Sequence, residues 1–334
     1  MMPVKGAGAH TVTILMYHSV GTIANAGIHA RNIVSVGNFC RQMRYLAAHC
    51  HVISLDRYVT HVLSGEPLPA DSVVITFDDG YKDNYQQAYP ILAQLGLPAT
   101  FFLATAYIGT GAIKWEDRLS WMVRAGAHSE LRASIAGLRI ERRYSLQDQA
   151  ARMRAVDDLV GLLHRVEEGE RQRVLEAITG AMGVADRPHP SDMMLSWDEA
   201  RAMAKTPGIS FGSHGVTHCR LSRLSAEALR AEIADSKSRI ETELQQPVTL
   251  FSYPYGGEGD VDERSRRCIQ ANGFRCALTT TYGRNRLHSD LYQLRRVGAA
   301  NRGELGFRLG TWLRASAAGE AMKAIYNSMP AGSR

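Results

Sequence analysis

The chain has 334 residues, 45% of them apolar and 22% charged, which excludes a disordered or fibrous polypeptide and leaves room for one large barrel-type domain or two smaller units. Its formal net charge of +6 comes from scattered Lys and Arg with no basic stripe interleaved with aromatics, so a nucleic-acid partner is not indicated. No run reaches the roughly 18 apolar residues of a membrane span, residues 1–10 hold no secretory core, and five cysteines (Cys40, Cys50, Cys219, Cys268, Cys276) lack framework spacing, so the expectation is a reduced, cytoplasmic protein.

In chain order, residues 11–17 form a β-rich apolar run that predicts a first strand ending in His18-Ser19. Apolar positions at Phe39, Met43, Leu46 and Ala47 predict a helix over 39–49, followed by a short strand over 52–55 and a helix over 56–64. Residues 73–77 read as a strand buried on both faces, which stops at Asp78-Asp79-Gly80. A helix is predicted over 84–95, shortened or kinked by Pro90, and a further buried strand over 99–104. This repeated order of strand, turn and helix is that of a parallel α/β architecture, whose functional groups sit at the C-terminal ends of its strands.

Between 108 and 191 the pattern changes to an amphipathic helix opening at Trp115, a hairpin over 131–144 and a charge-rich helical stretch over 146–182. The length exceeds that of a structureless loop, so this is an insertion forming a lid or flank. Trp115 and Trp121 within it are read as packing residues, with a sugar platform as the alternative. Strand and helix then alternate again. Ser196 and Glu199 have capping-box spacing, strands over 209–212, 248–252, 276–280 and 291–297 are predicted, and helices over 225–244 and 261–272 lie between them. The main unit is thus 11–300, followed by a C-terminal helical tail over 301–334. In that tail Phe307, Leu309, Trp312 and Leu313 stand among Arg308, Arg314 and Lys323, a pattern that suits either packing on the barrel or peripheral association with an anionic membrane.

The chemistry starts from two adjacent carboxylates. An Asp-Gly turn needs one Asp, and two side by side repel each other unless a cation relieves them. His214 and His218 follow the strand at 209–212 at a spacing of four, which allows two imidazoles to share a metal in a helical turn. Asp79, His214 and His218 together make a facial ligand set for a divalent ion, Zn²⁺ first, with Co²⁺, Ni²⁺ or Fe²⁺ also compatible. Asp78 is then free to act as general base, His18 is the best candidate acid, and the turn at Tyr255 can offer a backbone N–H to an oxyanion.

Thr76-Phe77-Asp78-Asp79-Gly80, Ser213-His214-Gly215-Val216-Thr217-His218 and Phe251-Ser252-Tyr253-Pro254-Tyr255-Gly256, in this order, resemble the three main motifs of the polysaccharide deacetylase family, carbohydrate esterase family 4. The resemblance implies a distorted (β/α)7 barrel of the NodB homology type, metal-dependent removal of acetyl groups from glycans, Asp78 as base, and Asp79, His214 and His218 as metal ligands. Two departures stand out. Ser252 occupies the place where many members carry the arginine that orients the base, and the last predicted strand offers no late histidine acid. Met16-Tyr17-His18-Ser19-Val20 instead resembles the branch containing poly-N-acetylglucosamine deacetylases, in which an early Tyr-His motif supplies the acid, which points to His18. Arg296 or Arg295 is the expected substitute for the missing arginine.

The leading expectation is therefore a metal-dependent deacetylase of an N-acetylated sugar, in a polymer or in a lipid- or nucleotide-linked precursor. Hydrolysis of another amide, such as an N-formyl sugar, would use the same residues. A carbohydrate-binding homologue without activity is disfavoured, because a decayed site should have lost at least one of Asp78, Asp79, His214, His218 and His18.

Overall fold

The computed structural model describes residues 11–22, 28, 32–69, 72–184 and 193–308. Its first strands are β1 (Thr13–Tyr17), β2 (Ser19–Val20), β3 (Ile33–Val34), β4 (His51–Val52), β5 (Ser72–Phe77) and β6 (Ala99–Leu103). A hairpin, β7 (Glu130–Ile135) and β8 (Ile140–Ser145), precedes β9 (Ile209–Ser213), β10 (Leu250–Ser252), β11 (Cys276–Tyr282) and β12 (Leu294–Gly298). Seven strands in the order β1-β12-β11-β10-β9-β6-β5, with β5 pairing back to β1, close a parallel (β/α)7 barrel. The closing seam is continuous from the Thr13–Val73 pair to the Tyr17–Phe77 pair. Three seams are irregular: β10 meets β9 only at Phe251–Ser213, β6 reaches only the last residues of β5 because β4 occupies the start of the same edge, and β11 shifts register against β12 between Leu278 and Tyr282.

Alternation along each strand sorts side chains to two sides. Ile14, Val74, Phe102, Leu250, Leu278 and Leu294 belong to one buried cluster, closed by Tyr58 and Val59. Their neighbours of opposite parity, Leu15, Ile75, Phe77, Phe101, Phe211 and Phe251, pack in another cluster that includes Phe39, Met43 and Leu46 of α1 (Val36–His49). Rings on that side stack across neighbouring strands, Tyr17 on Phe77 at 5.3 Å and Phe77 on Phe101 at 4.6 Å, and such pairs add about 0.5–1.5 kcal/mol each beyond area burial. Parity therefore places His18 on the side of Ile14 and Met16, Asp78 with Val74 and Thr76, and Arg296 with Leu294; His18 and Asp78 directly follow their strands, and Arg296 is in the middle of β12.

Element boundaries depart from the sequence reading in two informative places. The strand expected over 52–55 is cut short because Ser54 accepts from the Arg57 N–H and so caps α2 (Leu55–Ser64), leaving β4 as His51–Val52. The single helix expected over 84–95 is a π-helix, Asn84–Ala88, followed by α3 (Tyr89–Leu95), with Pro90 in the first turn of α3. Proline has no N–H and crowds the carbonyl four residues back, and the wider turn ahead of it absorbs both effects.

The insertion contains α4 (Trp115–Ala125), the β7–β8 hairpin, α5 (Gln149–Leu163) and α6 (Glu168–Met182), packed around Leu119, Met122, Leu131, Ile135, Leu159 and Ile178. Trp121 packs against this cluster. Beyond it run α7 (Trp197–Ala204), with the expected Ser196–Glu199 capping box, then α8 (Ala226–Leu244), α9 (Glu263–Ala271) and α10 (Glu304–Arg308). Leu309, Trp312, Leu313, Arg314 and Lys323 of the predicted tail lie outside the described residues. Among the described residues no helix is long and apolar enough to cross a membrane.

Candidate active site

Asp78 leaves the end of β5 with its N–H bonded to the Tyr17 carbonyl at 3.0 Å, and its carboxylate is 1% exposed. Arg296 meets it as a fork: Nη1 donates to Oδ1 at 2.8 Å and Nη2 to Oδ2 at 2.7 Å. The remaining donors are used as well, Nε on the Thr279 carbonyl at 2.8 Å and Nη2 also on Ser252 Oγ at 3.0 Å. Burial alone would raise the Asp78 carboxyl, but the adjacent Arg296, followed by His214, outweighs it and brings the pKa down to about 2. Asp78 is thus ionised at neutral pH. Ser252, at the position where the motif's arginine is missing, sits against both partners and leaves the space that Arg296 fills from β12. Arg295 is exposed and lies against Gly283 instead.

Asp79 takes φ 78° and Gly80 φ 83°, two consecutive left-handed residues that turn the chain away from the strand axis. This separates the neighbouring carboxylates: Asp78 faces Arg296, and Asp79 faces His214 and His218. A Cβ at Gly80 would lie 2.7 Å from Ile108 Cδ1 and 2.8 Å from Leu103 Cδ2, so a side chain there must displace two buried methyl groups in addition to adopting a left-handed φ. Gly80→Ala is expected to destabilise the fold by about 1–3 kcal/mol, read as a lowered midpoint in chemical denaturation; an unchanged midpoint would remove this account of the turn.

His214 Nδ1 lies 2.7 Å from the Ser252 carbonyl. A carbonyl only accepts, so Nδ1 carries a proton, which leaves Nε2 as the ring atom that can ligate a metal. That Nε2 is 3.7 Å from Asp79 Oδ1, and His218 Nε2 is 3.2 Å from the same oxygen. Burial holds the His218 pKa well below the usual histidine value, against the opposing pull of Asp79, so its ring is neutral, the form that ligates metals. The ligand atoms of Asp79, His214 and His218 lie within 4.8 Å of one another, while Asp79 Oδ1 and His218 Nδ1 are buried without a hydrogen-bond partner among the described residues. An orphaned carboxylate oxygen facing two imidazole nitrogens fits a divalent cation. The two histidines do not share a helical turn, as their spacing had suggested. Gly215 (φ 77°) and His218 (φ 56°) fold the segment into a loop that brings the imidazoles to 4.9 Å.

His18 and Tyr255 border the same cavity as Asp78, Asp79, His214 and His218, a space of about 270 Å³ at the C-terminal mouth of the barrel. Tyr255, φ 63°, sets its ring edge-on to His218 at 4.9 Å and donates its hydroxyl to Glu116 Oε1 at 2.6 Å. The structure therefore brings the Tyr255 side chain into the site, where the sequence reading concerned only its backbone N–H.

Three further residues at the site were not foreseen. Lys114 reaches Asp79 Oδ2 from the start of α4 and is 3% exposed. Glu116 lines the cavity, where burial pushes its carboxyl up to about 7 against the pull of Lys114. Glu232 of α8 accepts from the Thr217 N–H at 2.6 Å and so braces the loop carrying His218. Of these only Glu232 left a trace in the sequence, a charge among the stripe of Leu229, Ile233, Ser236 and Ile240 that α8 buries.

A parallel barrel with an arginine-clamped carboxylate and a candidate metal-ligand set at its C-terminal mouth has the layout in which metal-assisted hydrolysis can be housed. Residues 65–134 and 170–277, more than half of the chain, match the family model for polysaccharide deacetylases, and the chain belongs to that family. The matched segments contain Asp78, Asp79, His214, His218 and Tyr255, whereas His18 and Arg296 lie outside them. Over 285 residues the chain is 24% identical to YxkH of Bacillus subtilis, covering 85% of this chain and 70% of that one. A stretch of 77 residues is 35% identical to the poly-beta-1,6-N-acetyl-D-glucosamine N-deacetylase of Staphylococcus aureus, 23% of this chain and 26% of that protein. The fold is shared with the Streptococcus pyogenes deacetylase PplD, solved in complex with acetate, at TM-score 0.59 and 19% identity, covering 91% of this chain and 99% of that one. It is also shared with IcaB from Ammonifex degensii at TM-score 0.56 and 16% identity, covering 88% and 93%.

Proposed function

We propose that the chain hydrolyses the N-acetyl group of an amino sugar in a glycan or glycan precursor, with a divalent metal, zinc by preference, at Asp79, His214 and His218. One observation carries the reading: a single cavity holds an ionised carboxylate clamped by Arg296 beside a triad whose Asp79 Oδ1 lacks a partner. When bound, the metal supplies a Lewis acid for the acetyl carbonyl oxygen and lowers the pKa of water. Asp78 takes the proton of the attacking water as its oxygen bonds to the acetyl carbon. Its low pKa returns that proton to solvent after the intermediate collapses, restoring the carboxylate. His18 is the candidate donor to the sugar nitrogen as the C–N bond breaks, releasing acetate and a free amine. Burial lowers the His18 pKa, opposed by the charges of Asp79 and Asp78. The Tyr255 N–H is the candidate second donor to the oxyanion.

The cavity shares His164, His218 and Tyr255 with a larger groove of about 570 Å³ between barrel and insertion. Trp115 stands in its wall beside Arg118, Arg171 and Arg220, which supports an extended sugar substrate over a small amide. The Trp115 indole, with Arg171 over it at 4.9 Å, has both packing and lining character.

The test is incubation of zinc- or cobalt-loaded protein with N-acetylglucosamine oligomers and with nucleotide- and polyprenyl-linked N-acetylated sugars, followed by mass spectrometry. Loss of one acetyl mass with stoichiometric acetate is expected on one of them. Formate release from an N-formyl sugar alone, or no product from any metal-loaded sample, would overturn the reading.

A further inference from the structure

Lys114 is a buried cation at a site that is itself suited to a cation. Its Nζ is bonded to Asp79 Oδ2, lies 3.9 Å from Asp117 Oδ2 and 4.8 Å from the centroid of the Tyr81 ring. Tyr81 in turn donates its hydroxyl to Asp117 at 2.8 Å, tying the segment after Gly80 to α4. Lysines are almost never buried to this degree unless paired, and the partner here is a proposed metal ligand. The two oxygens of Asp79 are thereby divided: Oδ2 is held by Lys114, and Oδ1, without a hydrogen bond, points at His214 and His218.

We propose that Lys114 is a positioning residue of the metal site, which presents Asp79 through Oδ1 alone and keeps metal affinity below what the same three ligands would give without it. The inference rests on the reading that Asp79, His214 and His218 bind a divalent cation. Two physical effects act in the same direction. A carboxylate with one oxygen bonded to an ammonium cannot turn to offer both oxygens to an ion. A positive charge one carboxylate away from a second cation also opposes that cation's binding in a buried, weakly screened site. Because Lys114 belongs to the insertion, the barrel's metal site is completed by a segment outside the barrel. The next two residues reinforce the attachment: Trp115 Nε1 donates to the Tyr255 hydroxyl at 3.3 Å, and Glu116 accepts from that hydroxyl.

The experiment uses the full chain and Co²⁺ as the probe. Visible absorption follows coordination, a titration yields Kd, and melting curves are recorded with chelator and with metal. Lys114→Met should bind Co²⁺ at least tenfold more tightly than the wild type, with an altered visible spectrum as Asp79 contributes its second oxygen. Its melting midpoint should rise more on metal addition than that of the wild type, because the metal-free variant keeps an unpaired buried carboxylate. Lys114→Arg, which retains the charge, should stay within threefold of the wild-type Kd. If Lys114→Met is poorly folded, Lys114→Gln serves the same comparison. Unchanged or weaker Co²⁺ binding with an unchanged spectrum, in a folded variant, would overturn the role of Lys114. Failure of the wild type to bind Co²⁺ in a manner that His214→Ala abolishes would instead remove the metal reading itself.

Discussion

Arg296→Met is expected to cost more than about a hundredfold in turnover and about 3–5 kcal/mol in stability, the usual result of stripping one partner from a buried ion pair. The guanidinium makes two bonds to Asp78 and others to Thr279 and Ser252, with both members of the pair 1% exposed. Methionine of similar length leaves that carboxylate buried and unpaired. The pH dependence separates this account from simple loss of packing. In the wild type the Asp78 pKa is lowered from 3.8 to about 2, so its contribution of about 2 kcal/mol is present above the ordinary carboxylate range and lost as pH falls through about 2. Without Arg296, burial dominates and the pKa lies above its ordinary value. The sign then reverses, and the group costs stability as pH rises through that raised value. Melting midpoints recorded across acid and neutral pH should therefore reach their maximum at lower pH in Arg296→Met than in the wild type. A second check is the double variant Asp78→Asn with Arg296→Met, which should recover part of the lost stability because no charge is left alone. Wild-type activity and an unshifted pH maximum in Arg296→Met would refute the clamp.

The role of Arg296 also shows what kind of information the sequence holds. Asp78, Asp79 and His214 are legible because they follow apolar strand runs, where side chains meet in a parallel barrel, and His218 is legible from its spacing of four from His214. Position alone leaves Arg295 and Arg296 as alternatives, yet alternation decides between them: Leu294 is buried in the cluster with Ile14 and Leu250, so Arg296, two residues on, shares its side, and Arg295 does not. Strand register across the barrel, by contrast, was not readable, and it is register that sets Arg296 opposite Asp78. Lys114 and Glu116 were hidden for another reason. They start a helix in a segment that reads as a separate lid, and nothing local to 114–116 indicates that the helix begins against Asp79, 35 residues earlier. The π-helix over Asn84–Ala88 was signalled by Pro90 only as a disturbance, because the way a helix absorbs a proline depends on what packs around it.

Asp78→Asn tests the division of labour between the adjacent carboxylates. The amide matches the carboxylate in shape but cannot take a proton from water, so turnover should fall by about two to four orders of magnitude. Metal content should be unchanged, because Asp79, His214 and His218 make their arrangement without Asp78, whose Oδ2 stands 4.0 Å from His214 Nε2. Asp79→Asn should do the converse, reducing bound metal and abolishing activity as a consequence. Metal analysis alongside acetate release separates the two outcomes. Some loss of stability is expected in Asp78→Asn, since Arg296 exchanges an ionic fork for a neutral acceptor, and denaturation curves should be measured with the kinetics so that unfolding is not mistaken for lost chemistry. If Asp78→Asn loses its metal together with its activity, Asp78 belongs to the ligand set and the base must be sought elsewhere. If it retains full turnover, the proton of the attacking water goes to another group. The neighbouring positions can carry such different roles because of the backbone between them: Asp78 ends β5 in the parity of Val74 and Thr76, and the left-handed Asp79 turns the next carboxylate out of that alternation and toward the histidines.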